Sequence, residues 1–456
     1  MAGYDVRDYG AAGDGLANDA AAIQAAIDAC HRAGGGTVLL PAGRVFRSGS
    51  IELRSRVALE IERGAVLQAS EDPADYTHRR ASATPGFGPD APPPGEDIML
   101  ITADGAQDVA ILGAGTIDGG GRFFVAEDRG TIYAMREARP LTVYLVGCRR
   151  VTVRDVLLRD AAAWTLRLTG CRSVLVSGVR IENDLKVPNS DGIDLDCVRD
   201  ARISDCHIST GDDAISIKGR DESVRFGDTE NVTVSGCTLV STSSAFAIGA
   251  DCATSVRNVV VDSCVVDASN RGLSVNLGQQ GDVSDVLFSN IVVRTRLFDE
   301  PWWGHGEPIY VAVNRWTGAV GSIRNVRFSN ITARSENSVV VRGGPGEISG
   351  VVFDGVSVAL SAPARWPGGR IDVRPAAEEF VKGVTAGFHL ERATDVVLRG
   401  CRVRWEGEPA ADFGPALLVS DVQGLSVTDF DGVAAHPERD EARVYANSPR
   451  TSTGPV

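Results

Sequence analysis

A short strand-like pattern keeps returning along this chain, and no single copy can bury its own apolar face. It reads Val151-Thr-Val-Arg-Asp-Val-Leu-Leu158, then Val174-Leu-Val-Ser-Gly-Val-Arg-Ile181, then Ala201-Arg-Ile-Ser-Asp-Cys-His-Ile208. Further copies open at Asn231-Val232, Asn258-Val259, Asp285-Val286, Asn325-Val326, Gly350-Val351 and Asp395-Val396. Intervals run from the low twenties to about forty residues, the longer ones carrying loops. Alternation with a period of two marks strands buried on one face. Copies at this period must stack to cover that face. The pattern therefore predicts an all-β fold, a single-stranded right-handed parallel β-helix with inward Val, Ile and Leu. A β-sandwich is the competitor, but it would turn back every 8–12 residues or so.

Length alone, 456 residues, would suggest two or three domains. A solenoid grows without a larger globular core, so the expectation is one β-helical catalytic domain over 1–456. Its N-terminal cap is expected over about 1–45. Within that cap, Asp19 of Asn18-Asp19 is expected to cap a helix whose apolar face is Ile23, Ala26, Ile27 and Cys30, ended by Gly34-Gly35-Gly36. Such a helix would plug the open end of the coil. The Pro-rich stretch from Ala69 to Glu96 reads as a long overhanging loop, and the tail after about His436 as poorly ordered. The 51 glycines suit many tight turns.

A formal net charge of −14 argues against nucleic acid or an anionic membrane as the partner. No apolar run approaches a membrane span, and no secretory signal is visible at Met1-Ala-Gly-Tyr-Asp5, so a cytoplasmic location is expected. The nine cysteines are odd in number and lack Cys-x-x-Cys spacing. They read as small buried hydrophobes, neither disulfides nor zinc ligands.

Three carboxylates carry the chemistry. Asp191 lies in Asn189-Ser-Asp-Gly192, and Asp212 and Asp213 in Gly211-Asp-Asp213. A step of 21 residues is close to the repeat, so the two segments should lie one strand spacing apart, about 4.8 Å. Clustered carboxylates repel, and one is expected to keep its proton to higher pH than usual. An acid beside a base is what glycosidic hydrolysis needs. The residues alone do not say which Asp is the acid. The bland alternative is turn capping or a structural Ca²⁺.

The whole pattern resembles the polygalacturonase family of glycoside hydrolases. The resemblance rests on Asp5-Val-Arg-Asp-Tyr-Gly-Ala11, on Gly113-Ala-Gly-Thr-Ile-Asp-Gly119, and above all on Asn189-Ser-Asp-Gly-Ile-Asp-Leu-Asp196 followed by Thr210-Gly-Asp-Asp-Ala-Ile-Ser-Ile-Lys-Gly219. It implies a right-handed parallel β-helix hydrolysing pectin-type sugars by inversion, without metal or cofactor. It also implies that Asp212 protonates the leaving oxygen while Asp191 and Asp213 activate the water, with roughly 6.5–9.5 Å between acid and base. The expected action is exo, on galacturonic-acid-containing oligosaccharides. Alternatives are a non-uronic glycoside, a lyase or epimerase, or a non-catalytic carbohydrate-binding solenoid.

The chain departs from the family in two places. Ser244 stands where the Gly-His-Gly histidine belongs, and Asn276 falls in the segment that should read Arg-Ile-Lys. Substrate contacts are then expected from Asn189, Lys218, Ser244, Arg271 and Asn276. The segment Arg294-Thr-Arg-Leu-Phe-Asp-Glu-Pro-Trp302-Trp303-Gly-His305-Gly-Glu307-Pro-Ile-Tyr310 resembles that of a bacterial branch of the family. There Trp302 and Trp303 suit a sugar-stacking platform, His305 and Glu307 join them, and Tyr310 takes the place of the active-site tyrosine. The alternative for this loop is packing onto the coil.

Overall fold

The structure, a computed structural model, describes residues 3–81, 96–136, 138–316 and 318–448. It divides into two compact units, Met1–Ala214 and Ile215–Val456. Each is built from coils of parallel β-helix.

In the first unit, Glu96–Asp104, Pro140–Val146, Leu166–Thr169 and Ile193–Asp196 pair in parallel, in that order. Leu145, Leu168 and Leu195 stack in register and point inward, while Tyr144, Arg167 and Asp194 form the alternate row. A second ladder runs through Gln107–Leu112, Arg149–Arg154, Arg172–Ser177 and Arg199–Ser204. Its inward Val109, Val151, Val174 and Ala201 are at most 2% exposed. The pattern's period of two is thus the alternation between core and outer face.

The second unit repeats the plan. Ile215–Gly219, Ser244–Cys252, Arg271–Leu277, Ile309–Val313, Val339–Arg342, Phe388–Glu391 and Leu417–Ser420 pair in succession. Inside, Phe288 stacks on Phe328 at 4.9 Å and Phe328 on Phe353 at 5.3 Å. Before most repeat valines stands Asn, Asp or Gly, and the reason is steric. Asn231, Asn258, Asp285, Asn325 and Gly350 all turn with φ between 53° and 67°, a region that only such residues adopt at little cost. Neighbouring turns bond to each other, Asn258 Nδ2 to Asn231 Oδ1 at 3.1 Å and Asn325 Nδ2 to Asp285 Oδ1 at 2.6 Å.

Helix α1, Ala20–Arg32, buries Ile23, Ala26, Ile27 and Cys30, the four residues expected. The capping differs from expectation. Asp19 makes no side-chain cap. Its carboxylate accepts instead from Ala12 N at 2.7 Å and Gly13 N at 3.0 Å, closing the preceding loop. Asn18 Oδ1 takes the Ala20 N–H, at 3.1 Å. All nine cysteines are buried and unbridged. No helix among the described residues is long and apolar enough to cross a membrane. Much of the expected 69–96 loop, residues 82–95, lies outside the described residues. Of the tail after about His436, Arg443–Ala446 adds a paired strand on Leu417–Ser420, and residues 449–456 lie outside the described residues.

Candidate active site

Asp191, Asp212 and Asp213 meet, all within the first unit. One carboxylate oxygen from each lies within 4.8 Å of the other two. Asp191 is 3% exposed, and Asp212 and Asp213 are half-buried.

The meeting follows from strand pairing. Gly192 N donates to Asp213 O at 2.9 Å, and Ile193 N to Ala214 O at 3.0 Å. Successive coils therefore carry Asp191 and Asp213 side by side. Both flanking glycines are required by close approach. A Cβ on Gly192 would collide with Ala214 O, and one on Gly211 with Val187 O. Ser190 Oγ ties the two turns together, donating to Val187 O at 2.8 Å and accepting from Gly211 N at 3.0 Å. Asn183 Nδ2 holds Ser190 O at 3.0 Å from below.

The Asp212 carboxylate is oriented by backbone. Asn189 N donates to Oδ2 at 3.2 Å and Asp213 N to Oδ1 at 3.0 Å. Asn189 itself turns at φ 57°, and its Oδ1 is held by Arg139 at 2.8 Å. Three carboxylates this close are also a group that could hold a cation, with water completing its coordination. Two of their oxygens, no more than 4.8 Å apart, suit a shared water at ordinary hydrogen-bond distances, about 2.8 Å from each. The spacing is tighter than the 6.5–9.5 Å or so expected of an inverting pair.

The sequence profile of glycosyl hydrolases family 28 matches residues 93–367, which include all three aspartates. The chain belongs to this family. A second profile, rhamnogalacturonase A/epimerase, pectate lyase-like, matches residues 4–61. A probable polygalacturonase of Vitis vinifera is 27% identical over 371 residues, covering 78% of this chain and 74% of its own length. An endo-polygalacturonase of Pectobacterium carotovorum is 26% identical over 344 residues, covering 70% of this chain and 79% of its own. An exopolygalacturonase from Thermotoga maritima shares the fold at a TM-score of 0.64 and 22% identity, over 79% of this chain and 87% of that one. The family 28 chain is thus a polygalacturonase-like glycoside hydrolase with the right-handed β-helix expected.

The remaining candidate residues fall in the second unit, and most are built into its interior. Lys218 is 6% exposed and Ser244 is 4% exposed. Arg271 does not face a cleft. It is 1% exposed, lies 3.9 Å above the Tyr310 ring and bonds Glu307 at 3.2 Å. Burial works against its charge, but Glu307 and Asp372 outweigh that and keep it firmly protonated. Tyr310 is fully buried and donates to Asp372 O at 2.7 Å. Asn276 donates to Arg374 O at 2.9 Å and accepts from Asn314 at 2.9 Å.

Asp372 and Arg374 come from an excursion in the long interval between the repeat copies at Gly350 and Asp395. The hairpin Arg370–Asp372 with Phe380–Lys382 folds onto this row. Its Ile371 and Val373 pack on Tyr310, Ala312 and Val340. The available signal was the run Ser361-Ala-Pro-Ala-Arg-Trp-Pro-Gly-Gly369, which breaks the repeat.

The tryptophan platform is corrected for Trp302, which is 1% exposed with its carbonyl held by Arg374 at 2.7 Å. Trp303 is half-buried, with Arg374 5.8 Å from its ring centre. Trp302→Ala is therefore expected to cost about 3–5 kcal/mol of stability and to leave KM alone. A raised KM at an unchanged melting temperature would restore the platform reading.

His305 is a packed residue too, 1% exposed, its Nε2 2.9 Å from Pro367 O. Burial lowers its pKa below the ordinary 6.5 or so. A depressed His is neutral in the fold and charged when unfolded at low pH. Its contribution is therefore present above pH 6.5 or so and declines as pH falls below it. Melting temperatures should drop between pH 7 and 5, and less so in His305→Asn.

Proposed function

We propose that this family 28 hydrolase is an inverting, exo-acting enzyme on galacturonic-acid-containing oligosaccharides. The observation carrying acid–base hydrolysis is the meeting of Asp191, Asp212 and Asp213 within 4.8 Å on successive coils; support for inversion comes from the family 28 match and not from that spacing. In this reading Asp212, steadied by Asn189 N and Asp213 N, gives its proton to the leaving oxygen. Asp191 and Asp213 hold a water and take its proton as it attacks the anomeric carbon. One bond forms as the other breaks, and the anomer inverts. Proton NMR of the first product tests this. The inverted anomer is expected, and a retained one overturns the roles.

One observation favours exo action. The fold is shared with a protein described as an exopolygalacturonase. Digestion of oligogalacturonates should release one small product from the start. An early ladder of lengths would mean endo action.

A second reading, hydrolysis of a neutral glycoside, is favoured by one observation. Arg271, the cation nearest in sequence to the altered Arg-Ile-Lys segment, is consumed by Glu307 and Asp372. Cleavage of a neutral glycoside with none of digalacturonate would establish it.

A further inference from the structure

We infer that Arg139 is a positioning residue for the acid Asp212, acting through Asn189. This rests on the acid role proposed for Asp212. Arg139 lies just before the strand Pro140–Val146, in a stretch with no family motif. Its guanidinium reaches the turn that carries the first aspartate, making two bonds there and a third to the segment before the neighbouring strand. Nη1 donates to Pro188 O at 2.6 Å and to Ala162 O at 2.9 Å, and Nη2 donates to Asn189 Oδ1 at 2.8 Å.

The next link is backbone. Asn189 N donates to Asp212 Oδ2 at 3.2 Å. Asn189 holds a left-handed conformation, φ 57°, which costs a non-glycine residue energy unless its surroundings fix it. Those surroundings are Arg139 on the side chain and on the preceding carbonyl. With the guanidinium in place, the N–H of residue 189 has one direction, toward the acid. Without it the turn is free to relax, and the oxygen that must face the glycosidic bond loses its fixed bearing. Misplacement of a reacting group by about 1 Å can cost a hundredfold in rate. The planar fork is essential, because a lysine ammonium cannot hold the Pro188 carbonyl and the Asn189 amide in the same plane.

The test is kinetic, on the full chain and the oligosaccharide that the wild type cleaves. Arg139→Ala should lower kcat by about ten- to a hundredfold with KM within about twofold, and millimolar guanidinium should restore part of kcat. Arg139→Lys, which keeps the charge and disturbs folding least, should also fall short in kcat. Asn189→Gly deletes the amide while tolerating the same φ, and in that background Arg139→Ala should add little. The inference is overturned by Arg139→Lys at wild-type kcat, by equal changes in kcat and KM without guanidinium rescue, or by full additivity of the two substitutions. Those results with an inactive Asp212→Asn sink this link alone. A fully active Asp212→Asn instead sinks the acid assignment beneath it.

Discussion

Asp212→Asn should lose about a hundred- to ten-thousand-fold in turnover and still bind its substrate. An amide of the same shape can accept only one of the bonds from Asn189 N and Asp213 N and has no acidic proton to give, and general acid–base catalysis contributes on that scale. Asp213→Asn and Asp191→Asn should fall by similar amounts, since each leaves the water with one carboxylate fewer. The three act on one bond, so a double variant should cost little more than the worse single one. Initial rates paired with calorimetric binding of the same oligosaccharide give the answer. A wild-type rate in any one removes that residue from the mechanism, and undiminished turnover in all three would leave the cluster a structural feature.

The largest expected stability effect lies elsewhere, at Asp372. Its carboxylate is fully buried and accepts from Arg374 Nε at 2.9 Å, Arg374 N at 2.9 Å and Gly304 N at 2.6 Å, with Arg271 at 3.5 Å. Burial pushes its pKa up, but Arg374 and Arg271 together outweigh that and hold it below the ordinary carboxylate range. Asp372→Ala leaves two arginines in the interior short of a counter-charge, which costs about 3–5 kcal/mol. In a unit of this size that is on the order of ten degrees in Tm. A depressed acid contributes fully above its unfolded value near 3.9 and loses that contribution as pH falls through the lower folded value. The deficit of the variant should therefore be constant from pH 7 to 5 and shrink only in strong acid. Melting curves across that range check both claims, and an unchanged Tm would show that the hairpin is held by its apolar contacts alone.

The fold was legible because it is written locally. Alternating Val, Ile and Leu dictates a one-faced strand, the left-handed turn before most copies falls on Asn, Asp or Gly, and repetition does the rest. The meeting of the three aspartates was legible for a related reason. The separation of Asp191 and Asp212 nearly matches one coil, so distance in sequence converts directly to distance in space. The Trp302–Tyr310 segment misled because residue type does not tell a binding surface from a packed one. Aromatics and charges suit both, and only the partner brought from some sixty residues away decides.

Sequence by itself therefore set the β-helix and the convergence of three aspartates, because both follow from short-range periodicity. Tertiary structure alone decided that Arg271, Glu307 and Tyr310 are buried, with Arg271 and Tyr310 bonded to Asp372, and that Arg139 reaches the Asn189 turn. Those outcomes depend on which distant segment supplies the opposing charge or carbonyl, and a buried ion is stable only where that partner arrives.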